Sequence, residues 1–215
     1  MHEPGKNNFS DILNDVLPYP KINRISEDEK IEKIEYHFTE IMKTMGLDLT
    51  DDSLKDTPNR VAKMYINEIF SGLNPKNKPD ITLFENKYHF SEMLVVKDIA
   101  LYSNCEHHFV PIIGKAHVGY FPEKHIIGLS KINRLVQYYA SRPQVQERLT
   151  VQIGEALQNI LHHNDLAVVI EADHLCVASR GVKDISSQTV TSHFSGKFED
   201  KSVRNEFLSY IRNNK

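Results

Sequence analysis

The sequence holds only two cysteines, too few for a disulfide framework, as suits a chain kept in a reducing compartment. Long apolar runs are missing as well. Leu166 to Ile170 is among the longest, whereas a membrane span needs about 20 such residues, so no transmembrane segment is expected. Met1 to Pro20 is polar, carries Glu3 and Asp11, and has no apolar stretch of the secretory kind, so a cytoplasmic location is expected. A basic excess is also lacking: 26 Lys and Arg face 29 Asp and Glu, a net charge of -3. That argues against broad nucleic-acid binding but leaves room for a local cationic pocket. Internal repeats and low-complexity tracts are absent. What remains is ordinary globular composition, 40% hydrophobic and 26% charged over 215 residues, enough for one sizeable core with a smaller helical appendage.

Residues 1–25 read as a weakly ordered arm with Pro4, Pro18 and Pro20. A helical region follows over residues 26–90. Ser26 with Glu29 forms a capping box, Ile31, Ile34, Phe38, Ile41, Met42 and Met45 recur at helical spacing, and Gly46 supplies a stop. A second helix starts at Thr57-Pro58, carries Val61, Met64, Tyr65 and Ile69, and ends by Gly72. From residue 91 to 215 the rhythm changes. Met93 to Tyr102 and Ile112 to Phe121 read as strands. A helix capped by Ser130 follows, then a longer one from Val145 to Leu161 beyond Pro143. Leu166 to Ala172 and Ser186 to Phe194 read as strands, and Ser202 caps a last helix. The expectation is an α+β domain, β-β-α-α-β-β, with an antiparallel sheet and its helices on one face.

Cysteines in most chains are small buried hydrophobes. Here each lies within three residues of a histidine: Cys105-Glu106-His107-His108 and His174-Leu175-Cys176. One tight turn can aim Cys105 and His108 at a single ion, and Cys176 is the only further thiol. Three protein ligands leave a fourth position open, the mark of a catalytic rather than a structural zinc. Thiolate and imidazole favour zinc over magnesium or calcium, while leaving iron and cobalt open. His107 and His174 stand beside the proposed ligands, either as solvated neighbours or as proton-transfer groups.

Gly128-Leu129-Ser130-Lys131-Ile132-Asn133-Arg134 puts cations at a helix start, where free N–H groups and the helix dipole favour phosphate. Ser179-Arg180-Gly181 adds a cation close after Cys176. Gln144-Val145-Gln146-Glu147-Arg148 opens the long helix, and the carboxylate of Glu147 suits the paired donors of guanine. Each cluster by itself also reads as a solvated polar turn.

Together these segments resemble GTP cyclohydrolase I. The likeness runs from Thr57-Pro58-Asn59-Arg60 to Phe198, about two thirds of the chain, in the family's order and spacing. Val177 stands where some members carry Met, and residues 1–25 fall outside it. The resemblance implies the tunnelling fold, with zinc held by Cys105, His108 and Cys176. It implies ring opening of GTP at C8, release of formate and rearrangement to 7,8-dihydroneopterin triphosphate, which feeds folate or biopterin synthesis. His107 and His174 would move protons, Ser130 would contact the ribose–triphosphate and assist the later sugar rearrangement, and Gln146 would join them among the catalytic residues. Gln146 and Glu147 would hold guanine; Lys131, Arg134 and Arg180 would hold the phosphates. Arg60 would reach a neighbouring subunit's pocket in a homodecamer, a dimer of pentamers. A regulatory partner is not specified. The competing readings are a related tunnelling-fold enzyme acting on another pterin or a deazapurine, and a non-catalytic zinc- or nucleotide-binding module.

Overall fold

A computed structural model describes residues 25–212; the expected arm, apart from its last residue, lies outside the described residues. The chain divides into two compact units, residues 1–62 and 63–215. The segment 63–90, expected to belong with the N-terminal helices, falls in the second unit.

In the first unit, α1 spans Glu27–Thr44, and its N-cap Ser26 accepts the N–H of Glu29. Glu27, Asp28 and Glu29 set negative charge against the positive end of the helix. At the other end Gly46 adopts φ 79°. Its N–H reaches Lys43 O (2.9 Å) and that of Leu47 reaches Met42 O (3.1 Å), the paired bonds of a Schellman stop. The helix α2, Thr57–Met64, buries Pro58 and Ala62 and runs on into a π-helical turn, Tyr65–Ile69. Asn59 ties the start of α2 to Glu35 of α1 (2.6 Å).

The second unit holds a two-stranded and a five-stranded sheet. The small one pairs β1 (Leu83–Glu85) with β4 (His125–Ile127). The large one has β2 (Leu94–Cys105), β3 (Pro111–Tyr120), β5 (Pro143–Gln144), β6 (Leu166–His174) and β7 (Thr189–Ser195), in the order β5-β2-β3-β6-β7. Four of these strands pair antiparallel, but β5 joins β2 in parallel through Asn104↔Pro143 and Cys105↔Gln144, so the sheet is mixed. Short β1, β4 and β5 offer too few residues for a readable period and were not expected.

Two helices cover one face: α3 (Leu129–Ala140) and α4 (Gln146–Leu161). Ser103 bonds Ala140 O, and a side chain on Gly154 would strike His193 of β7. The last helix α6 (Lys201–Arg212) is on the other face. Its Phe207 and Ile211 pack with Ala167, Val169 and Phe198, and Ala167 and Val169 alternate with the inward Val168 and Ile170 on β6. The two helices of the expected β-β-α-α-β-β unit thus share one face, while the pleat presents apolar residues on the other as well, and the C-terminal α6 takes that one. Two expected caps also move. Gly128 precedes α3, leaving Ser130 inside its first turn. Asp200, not Ser202, accepts the N–H groups of Ser202 (2.7 Å) and Val203 (3.3 Å).

Candidate metal centre and active site

The register of the sheet gathers the two cysteine segments. Ile112 of β3 pairs with both Ser103 of β2 and His174 of β6, so the β2–β3 turn and the end of β6 share one sheet end. The turn is tight: Cys105 N–H bonds Val110 O (2.9 Å), and Phe109 N–H bonds Cys105 O (2.8 Å). Phe109 takes a left-handed conformation, φ 53°, and its ring packs against Phe70 and Tyr65. After His174 the chain makes one helical turn, α5 (Leu175–Ala178), which carries Cys176.

The result is a cluster in which the ligand atoms of Cys105, His108 and Cys176 lie within 4.8 Å of one another. Cys105 Sγ stands 3.8 Å from His108 Nδ1. Tetrahedral zinc with its usual bond lengths separates sulfur and nitrogen by about 3.6 Å, so the donor set fits such an ion. Burial, followed by the adjacent Cys105 sulfur, pushes the Cys176 thiol above its ordinary pKa, with Arg180 opposing. A bound cation reverses that bias, because it favours the thiolate.

Two histidines flank the cluster. His107 Nδ1 lies 3.7 Å from Cys105 Sγ, and its Nε2 lies 3.8 Å from Glu106. His174 Nε2 sits 2.8 Å from Gln146 Oε1. Burial lowers the His174 pKa by disfavouring the charged ring, while Glu147 and Asp173 pull it back up, which places Glu147 in its electrostatic reach. Glu147 is exposed at the start of α4.

The first turn of α4 is tied to the metal turn. Arg148 bonds Glu106, reaches Gln144 Oε1 (3.2 Å) and Pro143 O (3.3 Å), and Glu106 N–H bonds Gln144 O (3.0 Å). Neither Arg148 nor Glu106 was singled out from the sequence. A Gln- and Glu-rich helix start gives no sign of which side chain turns inward.

Of the other expected residues, Gln146 makes one of these contacts, to His174, and the rest make none. Ser130 and Arg134 are exposed and Lys131 half-buried on the first turns of α3. Arg180 is exposed beyond α5, felt by Cys176 through its charge. Arg60 belongs to the first unit, where it pairs with Asp56 (3.6 Å). Gln146 is 1% exposed, and its amide N–H groups point to Ile170 O, Thr189 O and Thr191 Oγ1.

The family model described as GTP cyclohydrolase I matches residues 34–212. The chain belongs to the GTP cyclohydrolase I family. A GTP cyclohydrolase 1 from Flavobacterium johnsoniae is 55% identical over 212 residues, covering 99% of this chain and 95% of its own. That likeness takes in most of residues 1–25, which the motifs alone had left out. A GTP cyclohydrolase 1 from Vibrio campbellii is 56% identical over 191 residues, 88% of each chain. The apo archaeosine synthase QueF-Like covers 48% of this chain at a TM-score of 0.40 and 16% identity, a level at which nothing transfers. For a member of the GTP cyclohydrolase I family, the Cys105–His108–Cys176 cluster is the group that could bind the family's metal.

Proposed function

We propose that this chain is a zinc-dependent GTP cyclohydrolase whose chemistry takes place at the Cys105–His108–Cys176 end of the sheet. It hydrolyses the imidazole ring of GTP at C8, releases formate and delivers 7,8-dihydroneopterin triphosphate, the entry to reduced-pterin synthesis. The observation that carries this reading is the meeting of a three-ligand thiolate–imidazole cluster with His107, His174 and Glu147, in a chain of this family.

Cys105, His108 and Cys176 would hold zinc, which supplies a Lewis acid and a means of activating water near neutral pH. His174, whose charged form burial disfavours, accepts and returns a proton during ring opening. His107, on the exposed side of the same turn, serves the second proton transfer. Glu147 accepts the paired N–H donors of guanine. Lys131, Arg134 and Arg180 balance the triphosphate, which carries about four negative charges. Ser130 contacts the ribose–triphosphate at the start of α3, where the helix dipole favours anions. Arg60 is assigned to the phosphates of a neighbouring subunit's site.

That assignment entails a homo-oligomer, a decamer by likeness to the family. Among the described residues β7 is an edge strand, and β2 carries β5 only at Asn104 and Cys105, so both edges have backbone groups to offer another copy. Among the described residues no helix is long and apolar enough to cross a membrane; the working location is the cytoplasm.

The test is a GTP assay on purified protein, stripped by chelator and then reloaded with zinc. Formate release and a fluorescent pterin after oxidation and dephosphorylation are expected with metal and lost without it. Zinc-loaded protein that leaves GTP unchanged would sink the proposal.

A further inference from the structure

We propose that Gln146 is a positioning residue: its side-chain carbonyl fixes His174 as the Nε2–H tautomer and leaves Nδ1 as the nitrogen that exchanges a proton with substrate. This rests on the reading of His174 as a proton-transfer group.

The hydrogen bonds around Gln146 have determined directions. Its amide nitrogen stands 3.1 Å from Ile170 O and 3.0 Å from Thr189 O. Both are main-chain carbonyls, which only accept. Exchanging the amide's oxygen and nitrogen would set three oxygens against one another in a site that is 1% exposed, where an unmatched polar contact costs about 1–3 kcal/mol. The nitrogen therefore faces the carbonyls, and Oε1 faces His174 Nε2 at 2.8 Å. An acceptor at that distance requires a hydrogen on Nε2.

The neighbouring hydroxyls agree with that direction. Thr150 donates to Gln146 O (2.8 Å), one turn back along α4. Thr191 lies 2.6 Å from Thr150; with the Thr150 hydrogen committed, Thr191 is the donor of that pair. Its oxygen is then free to accept from the Gln146 amide at 3.1 Å. The hydroxyl hydrogens of Thr150 and Thr191 each have one acceptor, and the two amide hydrogens of Gln146 are shared among three. In the neutral imidazole the remaining lone pair is on Nδ1.

A residue that acts through His174 leaves a different kinetic trace from one that holds the base. Gln146→Met removes the acceptor; Gln146→Glu, buried against two carbonyls that disfavour its ionised form, enters as the neutral acid, whose hydroxyl donates to one of them while its carbonyl oxygen faces Nε2. The expected result for Gln146→Met is a kcat about 10- to 100-fold lower, the usual scale for an outer partner of a site residue, with KM for GTP and zinc content near wild type. Gln146→Glu recovers part of kcat and serves as the readout should the Met variant fail to fold. The decisive arm is GTP binding at equilibrium to zinc-loaded His174→Ala and His174→Ala/Gln146→Met, in which turnover is stopped. Equal affinity supports the proposal. A tenfold or greater loss in the double variant, or a KM effect in the single variants, places Gln146 on the base and overturns it. Full turnover by His174→Ala would instead remove His174 from the chemistry, a different failure, visible before any Gln146 variant is made.

Discussion

At the scale of single residues, the two cysteines and one buried histidine carry the sharpest consequences. Cys176 has no substitute: the chain holds no third thiol, so Cys176→Ser should lose stoichiometric zinc by elemental analysis, and full retention would dismiss the ligand set. His117 is 2% exposed, and its Nδ1 accepts the N–H of Asp98 (3.2 Å) at an irregularity in β2 where Asp98 has φ 57°. Burial lowers its pKa most; Glu171 and Asp98 raise it, and Lys115 and Lys97 lower it further. Above its ordinary pKa of 6.5 the ring is neutral whether the chain is folded or not, and contributes no pH dependence. Below it the unfolded chain takes a proton that the fold refuses, so stability falls with pH until the lowered folded value is passed. His193 is lowered chiefly by burial too and adds to the same slope. Urea midpoints should therefore decline from about pH 7 downward, and His117→Gln should make that decline shallower. An unchanged slope would remove His117 as its source.

At the scale of elements, the first turn of α4 and the β2–β3 turn act as one piece through the Arg148–Glu106 pair. The two side chains are 15% and 25% exposed, so removing one leaves the other charge poorly solvated. Arg148→Met should cost about 1.5–3 kcal/mol of stability. Adding Glu106→Gln should cost less than the sum of the single changes, read by a urea double-variant cycle; strict additivity would mean the pair is not coupled. Gly154 shows where packing outweighs propensity. Alanine would favour the helix by about 1 kcal/mol, but a Cβ there would stand 2.5 Å from the His193 ring, and overpacking costs about 1–3 kcal/mol. Gly154→Ala is expected to lower the urea midpoint despite its helix preference. The long elements were readable because Ile132, Leu135, Val136 and Tyr139, or the apolar run from Leu166, repeat a period over enough residues. Strand β5 has two residues and α5 four, too few for any period. Their places are set by partners across the sheet. The side taken by α6 was hidden likewise, since its stripe of Val203, Phe207 and Ile211 says that it packs and not on what.

At the scale of the whole molecule, the site joins segments far apart in the chain, and its ion would act as a cross-link. Chelation should lower the thermal midpoint and zinc should restore it. A ligand at a thousand times its dissociation constant adds about 4 kcal/mol, and each kcal/mol is worth about 2–4 °C for a chain of this size. An unmoved midpoint would mean that the ion ties nothing together. Cys105, His108 and Cys176 were legible as a set because only two thiols exist and each has a histidine near it. The service that Gln146 gives His174 was not, because an amide's orientation depends on Ile170, Thr189 and Thr191, which no local motif links to it. The pairing of Ile112 with His174 has one more consequence, for the nascent chain. While the ribosome has delivered Cys105 and His108 but not β6, the chain holds two of the cluster's three donors. Completion of the cluster would therefore wait for the last third of synthesis and for β6 to dock on β3, so a half-made polypeptide would lack the full donor set.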